Sequence, residues 1–167
     1  YCVLGFVYRA AGQLEEARLA SREAIRRSVD SEYAIHLLMA CCPSVEMQRE
    51  ELAFVAGELA RQVIFGSGLV TFRNVAAGIL PPEQLLQILR EGKNARPDLP
   101  QTWSALVWQL AEMQLVEEAY SLAEEATKRF PLVPNAWYDQ AFIEHRRGDL
   151  AAAQDALRHV LDIAPTF

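Results

Sequence analysis

Cysteine and histidine are scarce, three of each in 167 residues. Cys2, Cys41 and Cys42 are odd in number and two are adjacent, which is no disulfide framework. They suit a reducing, cytoplasmic compartment. No second cysteine pair or histidine cluster stands at ligand spacing, so Cys41 and Cys42 read as core side chains and no metal is expected. His36, His145 and His159 are scattered, without an H-E-x-x-H pair or a G-x-S-x-G elbow. Gly66-Ser67-Gly68 lacks the lysine and spacing of a phosphate loop. The sequence therefore names no catalytic, cofactor-binding or metal residue, and no cofactor; this stretch is expected not to be an enzyme.

Long apolar runs are also missing. The run 63–70 is too short for a membrane span and contains Gly66, Ser67 and Gly68. No leader is visible, and the chain starts at Tyr1 inside an apolar helical pattern, so a piece of a larger protein is expected. A basic excess is absent: the net charge is -6, which argues against nucleic acid as a partner. No segment sustains the alternation of a strand, and no low-complexity linker appears.

What is present is helical periodicity broken at regular places. Helices are expected over 1–11, 14–28, 31–42, 44–65, 69–77, 81–95, 101–113 and 116–130, with two more inside 135–165. Gly12 ends the first. Ser31 and Ser44 are expected caps. Pro43 stops the third helix, because proline cannot continue one. Gly66-Ser67-Gly68 breaks the fourth, and Pro81-Pro82 opens the sixth. Gly148-Asp149 joins the last two as a C-cap glycine and an N-cap. Arg18, Arg22 and Arg26 lie four apart among glutamates and read as a solvated face.

One constant interval separates Trp103 from Trp137, Ala119 from Ala153, Pro131 from Pro165 and Pro97 from Pro131. The alanines are small where two helix backbones approach, the tryptophans supply large buried area, and the prolines close one helix pair and angle the next. One pair cannot bury its own apolar face, so neighbours must stack on it. These residues, with Tyr1, Leu4, Gly5, Tyr8, Gly12 and Ala17, resemble the tetratricopeptide repeat, whose period is about 34 residues. The resemblance implies an all-α, right-handed α-solenoid of five helix-turn-helix units, about 1–29, 30–66, 67–98, 99–132 and 133–167. Units two and three are irregular: Glu51 falls where a small residue belongs, and Pro81-Pro82 interrupts the usual turn.

In the resembled family the first helix of each pair lines a concave groove that binds a peptide or protein segment. Carried onto this chain, the groove residues are Phe6, Arg9, Asn74, Trp108, Tyr138, Phe142, His145 and Arg146, beside Cys2, Tyr33, His36, Thr71, Glu112, Asn135 and Asp139. The subtype that clamps carboxylate tails is not expected, since Val70, Asn74, Ala105, Asn135 and Asp139 hold its places and Asp139 would repel a carboxylate. The resemblance thus implies a non-catalytic protein-binding scaffold without a membrane partner. The alternative is a substrate-recruiting or regulatory arm of a larger enzyme such as a transferase. The last helix, with Leu150, Ala156, Leu157, Val160, Leu161 and Ile163, is expected to expose apolar surface and to support self-association.

Overall fold

The computed structural model describes residues 1–166. Among them are ten α-helices and no strand. In order they are α1 (Cys2–Ala10), α2 (Leu14–Arg27), α3 (Glu32–Ala40), α4 (Val45–Arg61), α5 (Ser67–Ala76), α6 (Pro82–Ala95), α7 (Pro100–Glu112), α8 (Val116–Arg129), α9 (Pro134–Arg147) and α10 (Leu150–Ile163). They fall into two compact units, Tyr1–Ile88 and Leu89–Phe167, divided within α6.

In the first unit, α1 packs on α2, α2 on α3, and α3 on α5. Gly12, at φ +76, turns the chain between α1 and α2. Ala17, Leu37 and Cys41 form one core cluster, with Tyr8 packed against it. Gly5 lets α3 approach closely: a Cβ there would sit 2.8 Å from the Leu37 Cδ2. Cys41 and Cys42 are buried, as their sequence setting suggests. Burial pushes the Cys41 thiol up and the Cys42 thiol to about 11, so both stay protonated at neutral pH.

Glu51, which replaces a small residue in the repeat pattern, is fully buried in α4. Arg18 and Arg22 of α2 both donate to its Oε1, Arg22 at 3.2 Å. Arg22 also lies 4.2 Å over the Phe54 ring. The arginine row is therefore not the solvated face its spacing suggests: α4 covers part of it. Pairing is what makes a buried carboxylate tolerable.

The connections in this unit depart from expectation in a consistent way. Helix α4 ends at Arg61 rather than Phe65. Ser67 and Gly68 do not break structure but begin α5; only Gly66, at φ +107, stays outside as its N-cap. Gly68 is needed for proximity, since a Cβ would lie 2.3 Å from the Val29 carbonyl oxygen. Asp30 supplies the cap that Gly66 cannot, accepting from the N–H groups of Phe65 (2.6 Å) and Gly68 (2.8 Å). Gln62 serves the end of α2, donating to the Ile25 carbonyl at 2.9 Å. Ser44 caps α4 by accepting from the Met47 N–H at 3.2 Å, whereas the Ser31 side chain makes no such bond at α3.

In the second unit the repeat is regular. Helix α8 packs on α7 and α9, and α9 on α10. Pro100 and Pro134 each open a helix, with Leu99 and Val133 extended before them. Trp103 Nε1 donates to the Pro97 carbonyl at 3.0 Å, and Trp137 Nε1 to the Pro131 carbonyl at 2.9 Å. The same bond thus recurs one repeat later. The burial does not: Trp103 is enclosed beside Ala126 and Ala136, edge-on to Phe130, while Trp137 is only half-buried and stacks on His159. Gly148 is left-handed at φ +85, and Asp149 caps α10 by accepting from Ala152 N–H at 2.9 Å. On α10, Ala156 and Val160 are covered, contrary to expectation; Leu150, Leu157 and Leu161 are exposed.

Candidate binding surface

Helices α7 and α9 carry the densest group of candidate residues. Trp108 and Phe142 occupy equivalent places one repeat apart, and their rings stack with centroids 4.1 Å apart and planes at 19°. Tyr138, one turn before Phe142, lies nearly parallel to Trp108 at 6.5 Å. Trp108 and Phe142 are half-buried and Tyr138 is 41 % exposed. The aromatics thus pack across two helices and still present ring surface to solvent.

Arg146 belongs to the same group. Its guanidinium lies 5.5 Å from the Phe142 centroid, and Nη1 donates to the Ala111 carbonyl at 3.0 Å. That carbonyl is in the last turn of α7, where a cation offsets the helix dipole; it also accepts from the Gln114 N–H at 3.2 Å. Arg147, beside it, points elsewhere: it stacks on Tyr120 at 3.9 Å and pairs with Glu117 and Glu144 at 3.1 and 3.2 Å.

Asp139 is the residue whose role the sequence misplaces. It is 4 % exposed, not a groove charge, and its Oδ1 accepts from Trp108 Nε1 at 2.7 Å. Burial pushes its carboxyl up to about 6, partly offset by hydrogen bonds from Ser104 and Trp108. Its chemical effect is to fix the indole in place under the stack. The repulsion of a carboxylate expected from Asp139 therefore has no exposed charge behind it. A tryptophan upstream by one repeat less three positions is the signal that could have found this bond.

The other candidates are more dispersed. Phe6, 44 % exposed, and Arg9 lie on α1, and Asn74 is exposed on α5, its Oδ1 accepting from Arg73 Nη1 at 3.2 Å. His145 is exposed on α9; Tyr33 and His36 are exposed on α3. Thr71 is buried and so drops from the lining. The structure brings Trp108, Tyr138, Phe142 and Arg146 together by direct contact in the second unit. No group of three metal-ligating side chains occurs among the described residues.

Residues 134–167, covering α9 and α10, match the tetratricopeptide-repeat family. Helices α9 and α10 thus form a unit of tetratricopeptide-repeat type, and the whole chain shares the fold of solved tetratricopeptide-repeat proteins. No curated protein sequence matches it. Solved structures that share the fold include YrrB, described as a tetratricopeptide-repeat protein with an unusual peptide-binding site, at 15 % identity and TM-score 0.55 over 97 % of this chain and 84 % of that one. A thermophilic tetratricopeptide-repeat protein of Thermus thermophilus matches at 16 % identity and TM-score 0.58, over 98 % and 89 %. The pilF protein of Pseudomonas aeruginosa matches at 16 % identity and TM-score 0.61, over 98 % and 75 %. At these identities the likeness of this chain to them is one of fold. No helix among its described residues is long and apolar enough to cross a membrane.

Proposed function

We propose that this protein is a non-catalytic interaction scaffold that holds a peptide or protein segment against Trp108, Tyr138 and Phe142. The observation that carries the reading is the pair of stacked rings, Trp108 on Phe142, braced from below by Asp139 and flanked by Arg146. Braced aromatic surface is what concentrates binding energy at protein interfaces, because little side-chain entropy remains to be lost. The peptide-binding site named for YrrB is consistent with such a use of the fold. His145 extends the same surface, and Phe6, Arg9 and Asn74 are the corresponding exposed side chains of the first unit.

The proposal includes the five-unit division, a cytoplasmic location suggested by three free cysteines, and self-association through the open face of α10. Panning a displayed random-peptide library against the whole chain tests the binding surface. Enriched peptides are expected to lose about tenfold or more in affinity on Tyr138→Ala and on Arg146→Ala, or about 1.4 kcal/mol of binding. Peptides indifferent to both substitutions would refute the surface. Trp108→Ala is avoided because it takes from the buried Asp139 carboxyl one of its hydrogen-bond donors, leaving Ser104.

A further inference from the structure

The first unit contains an open cavity of about 350 Å³ that the aromatic surface does not use. Its origin is the irregular stretch. Between α9 and α10 the chain needs only Gly148 and Asp149 to turn, but between α5 and α6 it takes the longer path 77–81. Gly78, at φ +79, reverses the chain there, and Ile79 is drawn onto α4, where its carbonyl accepts from Arg49 Nε at 3.2 Å. The space left between α4, this connection and the start of α6 is floored by Leu52 and Leu80 and walled by Ala53, Ala56, Pro81 and Ile88. Small alanines on α4 keep it from filling.

The mouth of the cavity carries Arg49 and Gln84, both exposed. Arg49 donates a hydrogen bond through Nε alone; its two Nη groups make none to a described residue. Glu46, one turn earlier, makes no hydrogen bond to them: its carboxyl is held down by its own backbone N–H and the Ser44 hydroxyl at the start of α4, and by the charge of Arg49 acting through space. The result is a guanidinium oriented by one backbone contact, with its paired Nη donors open beside an apolar hole. That pair of donors matches the two oxygens of a carboxylate, and Gln84 adds a further amide donor.

We propose that this cavity binds the C-terminal residue of a peptide, with an apolar side chain inside and the free carboxylate on Arg49. The volume accommodates one leucine- or phenylalanine-sized side chain, and the single cation at the rim selects for a terminal negative charge.

The test uses the whole chain with methyl groups of leucine and isoleucine labelled for NMR. The probes are an acetylated tetrapeptide ending in phenylalanine and the same peptide as its C-terminal amide. The free acid is expected to shift the methyls of Leu52, Leu80 and Ile88 and to bind about tenfold tighter than the amide. Arg49→Gln is expected to bring the acid down to the affinity of the amide. Ala53→Leu, an exposed change that fills the hole, is expected to abolish both. Equal binding of acid and amide, shifts confined to other methyls, or no shift at millimolar peptide would each overturn the assignment. Because Trp108 and Tyr138 play no part here, these outcomes are separate from those of the library experiment.

Discussion

Asp139 sits under the Trp108 indole with its carboxyl at about 6, against 3.8 for an unperturbed aspartate. Desolvation is the largest cause, so the folded protein favours the protonated form. A raised folded-state pKa gives stability that is fully present below the unfolded value and is lost as pH rises through the folded one. Wild type is therefore expected to lose stability between about pH 4 and pH 6. The loss is at most about 3 kcal/mol, since each tenfold change in proton affinity corresponds to about 1.4 kcal/mol. Asp139→Asn keeps an acceptor for Trp108 Nε1 and removes the titration. Urea unfolding of both proteins from pH 4 to 7.5 should show the variant gaining on wild type as pH rises. A constant difference across that range would show that the carboxyl is not buried as described.

At the scale of elements, the chain caps its helices with side chains from other helices and their connections. Gln62, after α4, holds the end of α2, and Asp30, after α2, holds the start of α5. Neither is visible as a capping residue in sequence, because each acts over more than a full repeat of chain. Asp30→Ala is expected to cost about 1–2 kcal/mol, the range of a lost N-cap. Amide exchange at Phe65 and Gly68 should quicken more than elsewhere in the first unit. If exchange there is unchanged, Asp30 is not the cap. Glu51 makes a related point. It looks like a failed repeat position, yet Arg18 and Arg22 on α2 neutralise it.

At the scale of the whole molecule, α10 differs from the helices it resembles. Leu157 and Leu161 stand one repeat after Ala123 and Thr127, which are buried in α8 between α7 and α9. On α10 the same places are 42 % and 54 % exposed. Apolar side chains at a stacking position favour a helical neighbour, by about 25 cal/mol for each Å² covered. The chain is expected to self-associate at high concentration, and Leu157→Glu with Leu161→Glu to return it to monomer. Sedimentation showing a strict monomer for both proteins would remove the self-association from the proposal.

Local pattern determined the helices. Their number, their order and most of their ends follow from periodicity, from prolines at first turns and from glycines such as Gly12 and Gly148, because these act over a short stretch of chain. The repeat spacing went further and put Trp108 and Phe142 at equivalent places, which is half of the candidate site. Tertiary structure alone decided how far α4 runs, that Ser67 and Gly68 belong to a helix, that Asp139 lies beneath the stack and that a cavity opens beside Arg49. Each of these depends on which distant backbone or side chain comes within a few ångströms, as Val29 does at Gly68 and Trp108 at Asp139. Burial and hydrogen bonding across that distance carry more energy than the local preferences they override, and one sequence read along its length does not contain them.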